Sequence, residues 1–215
     1  MVFSSAVFLF LFLPAVFVLS RILPGIRLKN LFLLVVSLLF YAFGEPVYVL
    51  LMLLSCVINY GAGRLLAAGS PSPARDKLVV AVTLVLNLGM LGMFKYTDFF
   101  LSTVNQVFSL EIPLTGIALP VGISFFTFQG LSYVIDVYRD RDLAARSFVK
   151  LALYISFFPQ LIAGPIVKYH DVAQQIDHRE TNPSLTADGV RRFIVGLAKK
   201  LLVANTVGRM ADLVF

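Results

Sequence analysis

Residues 119–140 read LPVGISFFTFQGLSYVIDVYRD, and residues 153–166 read LYISFFPQLIAGPI. Between them these stretches hold Ser124, Gln129, Ser132, Tyr133, Asp136, Arg139 and Gln160, with Pro159, Gly164 and Pro165 as breakers, inside sequence otherwise apolar enough for hydrocarbon. Polar side chains and broken backbone at membrane depth need a partner, a cavity or a purpose. A helix over 125–139 puts Gln129, Ser132 and Asp136 on one face with Tyr133 beside them, and sets Asp136 and Arg139 three apart, close enough to pair. Two readings fit that face. One is an ion pair at the helix end, with Gln129 and Ser132 bonded to a neighbouring helix. The other is the lining of a wet cavity, which the crowding of Ser124, Thr127, Gln129, Ser132, Tyr133 and Asp136 favours. For Gln160 the alternatives are a cap on backbone groups freed by the break and a cavity-lining role.

The rest of the chain explains why these stretches stand out. Hydrophobic residues make up 59% of the 215 positions and charged residues 14%, whereas a soluble domain is about half apolar and about a quarter charged. The mean hydropathy of +0.87 agrees, so the composition is that of an integral, all-α, polytopic membrane protein. The net charge of +6 comes from residues clustered at the ends of apolar runs, which is the pattern of topology signals rather than of a nucleic-acid surface.

Four apolar runs precede residue 112: 2–20, 31–43, 47–62 and 78–94. Pro14 interrupts the first and is expected to kink it. Residues 21–30 read as a basic turn, 64–77 as a basic loop and 97–116 as a mixed loop. Excess Arg and Lys after the first and third runs predicts an outside N-terminus, with 21–30 and 64–77 in the cytoplasm. No cleavable leader is read at the N-terminus, because the positive charges follow the first run. Asn59 and Asn87 read as contacts between helices, and Gly61-Ala62-Gly63 as a surface for close helix approach. Cys56, the single cysteine, reads as a buried structural thiol, and no Cys/His spacing suits a metal.

Behaviour changes past Gly116. Of the 30 charged residues, 19 lie between Ile135 and Phe215, so the chain divides into a four-helix membrane part, 1–111, and a part of broken or re-entrant and cytoplasmic interfacial segments, 112–215. The expected total is about five to seven membrane or re-entrant helices plus short interfacial ones. Residues 168–188 are too polar to span and read as a cytoplasmic loop or short surface helix. A helix start is read at Thr186-Ala187-Asp188-Gly189, leading into an amphipathic segment over 191–207. His170 and His178, the only histidines, sit among Lys168, Asp171, Asp177 and Arg179 and read as solvated rather than catalytic. No nucleophile triad, phosphate loop, HExxH or paired-carboxylate site is present in the pattern.

Several stretches together resemble the membrane-bound O-acyltransferase family, in particular its bacterial alginate O-acetylation branch: MVFSSAVFLFLFLP (1–14), YAFGEP (41–46), FKYTDFF (94–100), LPVGISFFTFQGLSYVIDVYRD (119–140), FFPQLIAGPIVKYHD (157–171) and RRFIVGLAKKLLVANTVG (191–208). The resemblance runs from Met1 across essentially the whole chain. It implies helices ringing a thin central region with a tunnel, in the bacterial cytoplasmic membrane. It also implies transfer of acetyl or similar groups from a cytoplasmic thioester donor (acetyl-CoA or an acyl-carrier protein) as co-substrate, with no bound cofactor and no metal. The acceptor it implies is an extracytoplasmic polysaccharide such as alginate, cellulose or peptidoglycan, with a periplasmic acetyltransferase as partner. Family members run to roughly twice this length, and their essential histidine follows a helix like 191–208. The expectation is therefore an N-terminal portion of one membrane domain, with no catalytic residue of its own and inactive alone. Ser124, Gln129, Ser132, Tyr133, Asp136, Arg139, Gln160, Gly164 and Pro165 would then line part of the tunnel. A transporter-like protein and a non-catalytic truncated scaffold are the competing readings.

Overall fold

A computed structural model describes residues 3–70, 72–161, 164–165, 167–179 and 182–214. The described residues are helical with no strand, as an all-α membrane protein requires, since only a helix satisfies its own backbone in lipid. The helices are α1 (Leu13–Ile22), α2 (Ile26–Gly44), α3 (Tyr48–Ala67), α4 (Pro73–Phe108), α5 (Ile123–Arg139), α6 (Phe148–Ser156), α7 (Phe158–Leu161), α8 (Tyr169–Asp177), α9 (Pro183–Ala198) and α10 (Asn205–Val214). Among the described residues α2, α3 and α4 are long and apolar enough to cross a membrane, and residues 8–22 form a shorter apolar helix.

The chain divides into two units, residues 23–177 and the pair of end segments 1–22 and 178–215. In the first unit α5 packs against α3 and α4, and α6 against α2 and α3. The α3–α4 seam is polar and fully paired. Ser55 Oγ donates to Asn87 Oδ1 at 3.2 Å, Asn59 Nδ2 donates to Asn87 Oδ1 at 3.1 Å and to the Ser55 carbonyl at 2.8 Å, and Asn87 Nδ2 donates to Asn59 Oδ1 at 3.3 Å. All three side chains are fully buried, so Asn59 and Asn87 are the helix glue their position suggested. Each interhelical bond of this kind contributes about 0.6 kcal/mol in a membrane. Cys56 is buried and unpaired in the same seam.

Glycine decides how closely α5 approaches α3. A Cβ on Gly130 would lie 2.7 Å from Asn59 Cγ, and one on Gly63 would lie 2.7 Å from a Tyr133 ring carbon. Gly61, which the sequence grouped with Gly63, instead faces open space.

Several boundaries differ from the sequence reading. The helix α4 runs 36 residues to Phe108, so residues 97–108 are helical and not loop. No Pro or Gly falls between Gly92 and Phe108, and isolated Lys95 and Asp98 do not stop a helix, whereas Ser109 in the left-handed conformation does. At 1.5 Å per residue α4 is about 54 Å long, well beyond the roughly 30 Å hydrocarbon core. Its far end holds the following loop: Asp98 accepts from the Thr115 amide at 2.8 Å, the Thr115 hydroxyl at 2.6 Å and the Gly116 amide at 3.1 Å. Much of the basic loop 64–77 is helical, because α3 reaches Ala67 and α4 begins at Pro73, a favoured first helical residue. Likewise Arg27, Lys29 and Asn30 belong to α2 rather than to a turn.

In the second unit a π-helical turn, Phe8–Phe12, precedes α1. Its wider winding lies just ahead of Pro14 and absorbs the amide that proline cannot supply. The helix α9 starts at Pro183 with Asn182 as its cap, accepting from the Leu185 amide at 2.7 Å, rather than at Thr186. A second π-helical turn, Lys199–Ala204, joins α9 to α10. These three segments bury none of their described residues.

Candidate functional site

The two quoted stretches come together. Pro120 and Gly122 shape the turn into α5, with Gly122 at φ 80°, where a Cβ would press within 3.2 Å of the Leu161 carbonyl at the end of α7. The break between α6 and α7 falls at Phe157. Described backbone groups around it find partners. The Phe158 amide donates to Ser37 Oγ of α2 at 3.3 Å, Gln160 Nε2 donates to the Tyr154 carbonyl at 2.6 Å, and the Tyr154 hydroxyl donates to the Val167 carbonyl at 2.7 Å. Gln160 thus acts as a cap on freed backbone. Gly164 folds back on it, with a hypothetical Cβ only 2.6 Å from Gln160 Cα. Pro165 is exposed, while Ile162, Ala163 and Ile166 of the same motif lie outside the described residues.

On α5 the predicted face splits. Thr127 and Gln129 are 0% and 1% exposed, and Thr127 Oγ1 and Gln129 Oε1 have no hydrogen-bond partner among the described residues. Such orphaned oxygens are costly in a dry interior and mark where a polar group belongs. Ser124 and Ser132 are half-buried, and Tyr133 is fully buried, its hydroxyl accepting from the Ala145 amide at 3.1 Å.

The anticipated Asp136–Arg139 pair does not form. Arg139 is exposed at the end of α5, and Asp136 points to α8 instead. There His170 Nδ1 lies 3.5 Å from Asp136 Oδ2, and His170 Nε2 lies 2.8 Å from Asp171 Oδ1. A neutral imidazole carries one N–H and can serve one carboxylate; the imidazolium serves both. His170 is 45% exposed, so it is partly solvated as its polar surroundings implied, yet it bridges α8 to the polar face of α5.

Beneath it three tyrosines stack edge to face, Tyr169 against Tyr133 at 4.9 Å and against Tyr154 at 5.1 Å. Burial pushes the Tyr169 phenol above its usual range. Asn30 Nδ2 donates to the Ile176 carbonyl at 2.8 Å, and Lys150 pairs with Asp177, so α8 is held by α2, α5 and α6. His178 is exposed. The sequence reading took His170, beside Asp171, as solvated rather than part of a site, and did not single out Tyr154 or Tyr169. The run Tyr169-His170-Asp171, so soon after the Gly164-Pro165 break, was the available signal. The described residues hold no group of three His, Cys, Asp or Glu able to take a metal.

This arrangement leaves two buried oxygens unpaired beside a broken helix and sets an imidazole able to pass a proton between two carboxylates at the solvent edge. The chain is 41% identical over 217 residues to the protein named "Probable alginate O-acetylase AlgI" in Pseudomonas aeruginosa, covering 99% of this chain and 41% of that one. It is 38% identical over 216 residues to the protein of that name in Azotobacter vinelandii, covering 99% and 43%. It is 31% identical over 246 residues to "Peptidoglycan O-acetyltransferase" of Helicobacter pylori, covering 100% and 46%. No family model matches the sequence, and no solved structure matches it. The chain spans less than half the length of these curated relatives. From end to end it is nonetheless homologous to proteins named as bacterial O-acetylases, consistent with the membrane-bound O-acyltransferase family that its motifs resemble.

Proposed function

We propose that this chain forms part of a multi-pass O-acetyltransferase of the bacterial cytoplasmic membrane and supplies one wall of its acyl path. The observation that carries the reading is end-to-end identity of 41% with an alginate O-acetylase. The donor is a cytoplasmic thioester, acetyl-CoA or an acyl-carrier protein, and the acceptor is a hydroxyl of an extracytoplasmic polysaccharide of the alginate kind. A periplasmic acetyltransferase is the natural partner. In such a transfer an oxygen nucleophile attacks the thioester carbonyl and the thiol departs, so the path must exclude water and provide a base.

Within this chain Gln129, Thr127 and Ser132 are suited to hold polar atoms of donor or acceptor, because two of them present buried oxygens with no partner among the described residues. Ser124, Tyr133, Gln160, Gly164 and Pro165 shape the wall around them. Asp136 with His170 forms its solvent edge, and Arg139 stands exposed beside it. The test replaces the matched segment of the Pseudomonas aeruginosa protein with this chain, then adds Gln129→Ala or Asp136→Ala. Acetyl content of the secreted alginate should fall several-fold while membrane abundance of the chimera holds. If abundance falls in step with acetylation, this face is structural and the site assignment is wrong.

A further inference from the structure

A groove of about 370 Å³ runs between α3 and α4, away from the polar site. Val57, Ile58, Gly61 and Leu65 form one wall, and Leu78, Val82 and Leu86 the other. Its one buried hydroxyl, Thr83, is already bonded to the Val79 carbonyl at 2.7 Å, so the groove offers no free hydrogen-bonding group. Gly61 forms an open floor, since a Cβ there would meet nothing within 4 Å. From Val57 to Leu65 the wall covers about 12 Å of helix axis, close to the roughly 15 Å of hydrocarbon in one leaflet.

Cations stand at one end of it. Arg64 precedes Leu65 and Lys77 precedes Leu78, so each wall finishes beside a positive charge. Both side chains are exposed, and neither makes an ion pair among the described residues. Arg75 sits one turn before the groove residues of α4 and spends its guanidinium on the Leu65 and Ala68 carbonyls, closing that end. The one acid of residues 64–77, Asp76, is neutralised by Arg141. An apolar channel on two membrane helices, capped by two uncommitted cations and no free anion, is complementary to a lipid with a negative headgroup.

We propose that this groove is a binding site for an anionic phospholipid, with one acyl chain along Gly61 and the phosphate between Arg64 and Lys77. A juxtamembrane cation is worth about a fivefold preference for an anionic lipid, so two set the expected selectivity. The probes are phosphatidylglycerol and phosphatidylcholine carrying a photoreactive diazirine on one acyl chain. Each is added to the 215-residue chain in phosphatidylcholine vesicles, and adducts are mapped by mass spectrometry. The glycerol probe should label residues 57–65 and 78–86 at least about fivefold more than the choline probe. Arg64→Gln with Lys77→Gln should bring the two to parity, while Arg64→Lys should keep the preference. Gly61→Leu, which fits the open floor, should suppress groove labelling by both probes with other adducts unchanged. Equal labelling in the parent chain, or a preference that survives loss of both cations, overturns the proposal. Dimers of the parent chain that Gly61→Leu dissociates would also overturn it, because the groove would then be a contact between copies.

Discussion

Gly130→Ala probes the close approach of α5 to α3. The added methyl would stand 2.7 Å from Asn59 Cγ, about 1 Å inside ordinary contact. Asn59 has little freedom to yield, because its amide is committed to the Ser55 carbonyl and to Asn87 Oδ1. Overpacking costs about 1–3 kcal/mol, and loss of the interhelical bond to Asn87 adds roughly 0.6 kcal/mol at membrane values. The gain in helix propensity returns about 1 kcal/mol. The net destabilisation is about 1–3 kcal/mol, which for a chain of this size lowers the melting temperature by about 2–12 °C. Cys56 provides the assay, since it is the single cysteine and is 1% exposed, so a thiol-reactive dye reports opening of the α3 seam. Gly61→Ala is the control, having open space at its Cβ, and should melt with or slightly above the parent. Adding Asn59→Ala to Gly130→Ala should relieve the clash and make the pair less harmful than the sum of the two changes. If Gly130→Ala and Gly61→Ala melt alike, α3 and α5 do not meet as described.

Asp98→Ala should free the 110–118 loop from α4, making it the first site of limited proteolysis while the Cys56 melt stays near that of the parent. The Tyr169 phenol is held neutral by burial, so its folded ionisation lies above the unfolded value of about 10. Its contribution is fully present below pH 10 and is lost as pH rises beyond it. Protection of α8 amides, taken relative to their base-catalysed intrinsic exchange, should therefore fall above pH 10, and Tyr169→Phe should remove that fall. An unchanged profile in Tyr169→Phe would place the alkaline sensitivity elsewhere.

Fold class was legible because composition and uninterrupted apolar runs follow directly from the need to bury backbone in lipid. The seam asparagines were legible for the same reason, since an amide at membrane depth has to find another helix. Helix ends were harder to read. Residues 97–108 carry the polarity of a loop, yet nothing in them breaks a helix, and propensity with continuity prevailed over hydropathy. The Asp136 pairing was misread because helical spacing shows only local partners. His170 lies 34 residues away and meets Asp136 because α8 packs against α5. Burial of Gln129 and Thr127 could not be read either, as it depends on α5 packing against α3 and α4.

The most direct measurement is the acetyl ester content of alginate from a Pseudomonas aeruginosa strain whose own O-acetylase carries this chain in place of its matched segment. The account predicts acetylated alginate at a substantial fraction of the parental level, with the chimera in the membrane. A chimera that reaches the membrane in normal amount and leaves the alginate unacetylated would contradict it.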